Sequence, residues 1–466
     1  MGINTKLLIG GGVVAAAIVA TPIIYQNQIE KTINTTITNL KEYNVNLTKK
    51  DDKSNFFNVK REYILTIKDS TKIIKEAIPN IRPHDLRSLK KAFDGTKFLV
   101  TLNITKLPVY HKNAVVVSLL SLNDNAMKDL ETSEPGKQLL NFIKNRGIEV
   151  LLDVDNLKIA KANLKDIDLT LTNTTYDNKK ETMNFVVNNF NINFENDIKT
   201  HFNKIAFKFD DQKYSNTLIT LNNFNNIYTY KNDFNNKQTT SLQNFSINYN
   251  TKYRKQTLNI DNIKVNYNLS HILDNINYSN IISVENFTMS EKRSYRKLPE
   301  SITIKNFKLG FNLNKISYTN INSIVKKIKE NPTYASSLDY SKEAIGIINH
   351  GFSFAISPLS VDKIILNTRS IKMDIDPVSV KFSTILQPNK LTLDQLNYNP
   401  ESAFKYLNAT LNIVTTKTNL DLASTMLGAD TVNEVMDKIG EIKNNKVIIN
   451  LTFKNQHLIA KGKQLF

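Results

Sequence analysis

The sequence predicts an α+β protein, built as an N-terminal transmembrane helix followed by a long curved antiparallel β-sheet with helical insertions. Three observations predict it. Residues Leu7 to Ile24 form an uncharged, almost wholly apolar run. From Tyr43 onward, apolar residues recur mostly at period two, the spacing of a strand with one sheltered face. In the middle of the chain a short pattern repeats in which the apolar set changes parity at an Asn.

The apolar run comes first. Eighteen helical residues span about 27 Å, close to the thickness of a bilayer's hydrocarbon core. Lys6 precedes the run and Glu30 is the first acid after it. Ala15-Ala16-Ala17 offers a signal-peptidase site, but the run continues past it through Val19, Ile23 and Ile24, so an uncleaved single-pass anchor is expected. Positive charge on the short side keeps that end cytoplasmic. Ile29, Ile33, Ile37 and Leu40 then recur at helical spacing and predict an amphipathic stalk helix.

Val59, Arg61, Tyr63, Leu65 and Ile67 share one strand face, as do Phe98, Val100, Leu102 and Ile104. A helix is expected around Lys137–Asn145. The repeat follows, with the form apolar, any, apolar, any, Asn, apolar, any, apolar. Clean copies place Asn156, Asn189, Asn262, Asn286 and Asn306 at the centre, and partial copies lie around Asn223 and Asn244. Ile302 and Ile304 are even whereas Phe307, Leu309 and Phe311 are odd, so a regular strand would switch faces at Asn306. A bulge or tight turn must absorb the slip, and Asn tolerates the left-handed backbone such sites need. Recurrent breaks of this kind bend a sheet. Phe190, Ile263, Phe287 and Phe307 follow the Asn residues and are the candidate lining of one apolar face.

Two helical stripes come next, Ile321 to Ile328 and Leu338 to Ile348, with Gly351 as a C-cap. Strands resume at Phe352–Ile356, Ile371–Ile375 and Ala409–Ile413; a last helix carries Leu422 to Ile439; two strands, Val447–Phe453 and Leu458–Lys461, close the chain. The organisation is therefore read as anchor 1–25, stalk helix 26–42, N-terminal α+β part 43–147, strand-repeat sheet 148–315 and C-terminal α+β part 316–466.

Composition narrows the chemistry. There is no cysteine, which excludes disulfides, thiolate zinc sites and a Cys nucleophile. Gly numbers only 13, against phosphate-cradling loops, and Asn numbers 64. The net charge of +18 comes from lysines spread along the chain, not from the clustered module a nucleic-acid binder needs, so no nucleic-acid partner is expected. His84, His111, His201, His271, His350 and His457 are too scattered to form a local metal motif. Asp153/Asp155 and Asp374/Asp376 each put two carboxylates on one strand face, without the Gly and terminal Glu of a calcium loop. No nucleophile elbow, Walker loop or zincin motif occurs. No catalytic, cofactor-binding or metal-ligating residue is assigned.

Four features together resemble the YdgA-like family of inner-membrane-anchored bacterial proteins. They are the anchor followed by Ile29-Glu30-Lys31-Thr32-Ile33, the strand-rich middle, the segment Gly351–Leu359, and the ending Leu451–Lys463. The resemblance implies a periplasmic protein without a known activity. The layout is more loosely similar to AsmA-like proteins, whose curved sheets the resemblance connects with sheltering lipid tails. The expected function is thus non-enzymatic: an envelope protein in the bacterial inner membrane, its bulk in the periplasm, binding phospholipid or scaffolding envelope proteins through its sheet. Two alternatives are a periplasmic hydrolase of cell-wall or lipid substrates, gathering groups near His350, and a self-associating structural protein.

Overall fold

The computed structural model describes residues 38, 40–54, 58–78, 81–105, 114–132, 134–153, 158–174, 180–194, 197–211, 215–296, 299–330, 338–369 and 371–465. The expected anchor, the stalk up to Ile37, Asn156 and His111 lie outside these residues. Among the described residues no helix is long and apolar enough to cross a membrane. The protein is α+β, dominated by antiparallel strands. It forms two compact units: the described residues up to Asn216 with Asn223–Asn225, and Thr217–Asn222 with Asn226 onward.

In the first unit the strands are β1 (Val45–Asp52), β2 (Asn58–Ile67), β3 (Lys97–Thr105), β4 (Ala114–Ser121), β5 (Ile148–Asp153), β6 (Lys158–Leu164), β7 (Ile167–Thr174), β8 (Lys180–Asn188), β9 (Phe190–Asn193) and β10 (Ile198–Asp211). They run as an antiparallel meander through β6, with β6 on β9, β7 on β8, and β10 on both β8 and β9. The period-two faces read from the sequence become its core. Tyr63, Leu65 and Ile67 pack with Leu40, Val100, Leu102, Val115 and Val117, all nearly inaccessible. Val-rich β4 suits such a site, because β-branched side chains pack well on a pleated surface.

Strand β11 (Ser215–Asn232) leads to the second unit. This holds β12 (Asn235–Thr251), β13 (Arg254–Ile272), β14 (Asn275–Arg293), β15 (Glu300–Ser317), β16 (Phe352–Val361), β17 (Lys363–Asn367), β18 (Lys372–Ile375), β19 (Val378–Leu386), β20 (Leu407–Thr416), β21 (Gly440–Lys443), β22 (Lys446–Lys454), β23 (His457–Ala460) and β24 (Lys463–Gln464). The pairing runs β12-β13-β14-β15-β16-β19-β20-β22. Strand β15 also pairs with β17, and β17 with β18. Helices Tyr318–Glu330 and Ser341–His350 pack against each other and on β15; Lys417–Leu427 and Ala429–Ile439 pack on β20 to β22.

Several elements differ from the sequence reading. Helices Thr71–Ala77, Pro83–Phe93 and Asp124–Glu131 join the expected one at Glu134–Lys144. Their apolar stripes are short, such as Leu86, Leu89 and Phe93, and two of them also carry start signals: Pro83 in the first turn, and Asn123 accepting the Ala126 N–H at 2.9 Å. The last helix is two, broken at Gly428, whose φ of 92° a helix interior does not permit.

The Asn slips are real but come in two forms. Asn189, Asn262 and Asn306 hold φ of 53°, and Asn223 of the partial copy holds 51°. At Asn262 and Asn306 the side-chain amide donates to a carboxylate beside the break, Glu285 and Asp362 respectively. Asn286, by contrast, keeps ordinary strand φ and lies in the ladder opposite Asp261 and Lys305. The break opposite Asn306 falls on Glu285, which has no ladder partner on either side. Register resumes unshifted because facing strands spend equal numbers of residues on the break. This distinction gives an expected sign reversal. Asn306→Gly should be more stable than Asn306→Ala by about 1 kcal/mol, since alanine resists left-handed backbone. At Asn286 the alanine variant should be the more stable, by about 0.5–1 kcal/mol. Denaturant midpoints of the four variants check the order.

Candidate functional site

Cross-strand register assembles the apolar positions of the second unit into continuous rows. Residues directly opposite one another in adjacent strands share a face. One row runs Ile247, Leu258, Met289, Ile302, Leu366, Met373 across β12, β13, β14, β15, β17 and β18. The next runs Phe245, Ile260, Phe287, Ile304, Ile364, Ile375 across the same six strands. Beyond the Asn break, Leu242 faces Ile263 and Val284 faces Phe307. Further on, Val265, Ile282, Leu309, Leu359, Val380, Ile413 and Ile449 extend from β13 to β22. The left-handed Asn residues turn the chain so that rows on both sides of the break fall on one face. At β16 one extra residue enters as a bulge between Ile356 and Leu359, and alignment with β15 and β19 is kept. Gly310 is required there: a Cβ would lie 2.5 Å from the Ser357 carbonyl oxygen.

These rows are not a closed core. Seventeen of the twenty-two buried apolar residues described belong to the first unit and five to the second. Along β11 to β15 only Ile276, Gly310 and Ser317 are buried. The row residues stay half-buried, and Met289 is 44% exposed. Strands of this length, packed as a normal two-layer core, would bury one face almost completely.

The other face at the break is polar and self-satisfied. Asp261 accepts the amides of Asn244 (2.8 Å), Asn259 (2.8 Å) and Asn286 (3.1 Å), and Asn222 reaches Asn244 at 3.2 Å. Partial burial works against ionisation of Asp261, yet the Asn244, Asn286 and Asn259 amides outweigh it and hold the carboxyl below its usual range. Because folding lowers this pKa, its stabilisation is complete above the ordinary carboxylate range and is lost as pH falls through the folded-state value. Asp261→Ala should cost about 1–3 kcal/mol at neutral pH by stranding three amides. The gap between wild type and variant in denaturant midpoint should narrow below about pH 4.

Of the expected lining residues, Ile263, Phe287 and Phe307 come together on neighbouring strands of the second unit, while Phe190 faces Leu164 in the first. The wider rows on β16 to β22 escaped sequence reasoning. Their alternation is legible, but which strand pairs with which is not. Asp274 lies 3.7 Å from His350. Its oxygens are already used by the Thr319 hydroxyl and N–H, and by the Ser317 hydroxyl, where the following helix begins. Those bonds, the Thr319 hydroxyl foremost, hold its pKa below the usual range. His271 stacks on Tyr318 with ring centroids 3.6 Å apart, and His201 lies between the Asn225 and Asn203 amides. Asp374 pairs with Lys363 at 3.2 Å. Among the described residues no three His, Asp or Glu converge as a metal site.

No protein-family model matches the chain, and neither a curated protein nor a solved structure matches it.

Proposed function

We propose that this chain is a non-enzymatic lipid-binding protein of the bacterial envelope, held to the inner membrane by Leu7–Ile24, whose apolar sheet face shelters acyl chains on the periplasmic side. The observation that carries the reading is the half-open face. Rows of Ile, Leu, Phe and Met cross six or more strands without the burial that a core would give them. A large exposed apolar face on a water-facing domain marks a binding surface. Six strands at about 4.8 Å spacing make a track about 24 Å long, suited to an extended hydrocarbon chain. Each methylene sheltered there contributes about 0.8 kcal/mol, so ten give about 8 kcal/mol before ordering costs. The YdgA-like layout and the apolar N-terminal run support the placement in the envelope. The polar face, closed by its Asn–Asp ladder, is the side left to water. Lipid retained by purified protein, and its loss on charging the face, tests the reading. A hydrolase near His350 gains no support, since Asp274 is occupied in beginning a helix.

A further inference from the structure

Described residues of three connections meet at one end of the second unit: 251–254 between β12 and β13, 294–296 and 299 between β14 and β15, and 368, 369 and 371 between β17 and β18. They are physically joined. The Ser294 N–H donates to the Tyr253 carbonyl at 2.9 Å, and the Arg369 N–H donates to Glu300 Oε1 at 3.2 Å. This end gathers eight described cationic side chains: Lys252, Arg254, Lys255, Lys292, Arg293, Arg296, Arg369 and Lys372. Its two carboxylates are already engaged, Glu291 by Arg254 and Arg293, and Glu300 by Arg296 at 2.5 Å. Two tyrosines stand at the tips, Tyr253 at 65% and Tyr295 at 72% exposed. Each has a cation over its ring, Lys252 at 5.3 Å and Arg296 at 5.7 Å. A recess of about 400 Å³ opens between Tyr295, Arg296, Glu300, Arg369 and Lys372. The opposite ends of β12 to β15 carry a nearly balanced set, Lys231, Lys237 and Lys315 against Asp233 and Asp274.

We propose that this cationic, tyrosine-tipped end docks on the anionic phospholipid headgroups of a bilayer surface. Anionic membranes attract juxtaposed Lys and Arg by about 1 kcal/mol each, a factor of about five per charge. Tyrosine is favoured at the headgroup level because its ring is apolar and its hydroxyl polar. Turn tips in a row can meet a planar surface together. A nucleic acid would instead be followed along a basic groove with successive bases stacked on rings; here the two exposed rings stand at separate turn tips, each with a cation over one face. The proposal goes beyond acyl-chain sheltering and stands without it.

The test uses the full-length chain in phosphatidylcholine nanodiscs, co-sedimented with sucrose-loaded vesicles of 30% phosphatidylglycerol in phosphatidylcholine, or of phosphatidylcholine alone. Wild type should partition onto the anionic vesicles, less so as salt rises. The triple variant Lys252→Gln, Lys292→Gln, Arg369→Gln should lose about a hundredfold in partition, at about fivefold per charge. Tyr253→Ser with Tyr295→Ser should weaken it further at high salt, where charge is screened. The control Lys231→Gln, Lys237→Gln, Lys315→Gln, at the opposite end, should stay within twofold, and circular dichroism melting should be unchanged in all variants. Equal binding to both vesicle types, a triple variant indistinguishable from wild type, or tighter binding to a single-stranded oligonucleotide at the same salt overturns the proposal. Wild-type protein that docks on anionic vesicles but carries no retained lipid would strike the acyl-chain reading alone.

Discussion

Val115→Asp is expected to unfold the first unit. Val115 is fully buried on β4, between Leu102 of β3 and Leu152 of β5, within a core that also holds Tyr63, Leu65 and Val100. The buried base on the same face, Arg61, lies in the same cross-strand row beyond Leu102 and is already paired with Asp52 at 3.0 Å. An unpaired carboxylate there must either ionise without solvent or stay protonated, and either costs several kcal/mol. That is a large fraction of the 5–15 kcal/mol that holds a typical domain together. Loss of cooperative melting and rapid proteolysis of residues in the first unit are the readouts. A variant that melts like wild type would show that this core is not closed.

The paired expectation for the second unit is opposite in kind. Phe287→Asp and Phe307→Asp place the same charge on the apolar rows, beside Ile260, Ile304 and Val284. Because the rows are half-open to solvent, the carboxylates remain hydrated. Each variant should fold and accumulate, at a cost of about 1 kcal/mol. The double variant should lose the larger part of any retained phospholipid, since it interrupts two adjacent rows of one track. If both variants unfold as Val115→Asp does, the rows are a core and the acyl-chain reading fails.

Much of this architecture is legible from residue patterns. Arg61, Tyr63, Leu65 and Ile67 announce their shared face by alternation, and all four are buried. The parity change from Ile304 to Phe307 announces the break at Asn306. What the pattern cannot separate is Asn306 from Asn286, which occupy the same place in the repeat. The difference comes from neighbouring strands: Asp261 holds the Asn286 amide within a regular ladder, while Asn306 turns left-handed and reaches Asp362. Pro83–Phe93 went unread although Leu86, Leu89 and Phe93 fall at helical spacing behind a proline start, because a stripe of three apolar residues is too short to stand out among strands. The cationic end was equally hidden. Lys252, Lys292 and Arg369 are far apart in the chain, and only strand register brings their turns side by side.

The most direct measurement is mass spectrometry of lipid carried by the full-length protein after extraction and extensive washing. Phospholipid retained at about one or more molecules per chain, and depleted in the Phe287→Asp, Phe307→Asp double variant while circular dichroism stays native, is the expected result. Wild-type protein that folds and carries no lipid, or a double variant that carries as much as wild type, would contradict the claim that the open rows of the second unit shelter acyl chains.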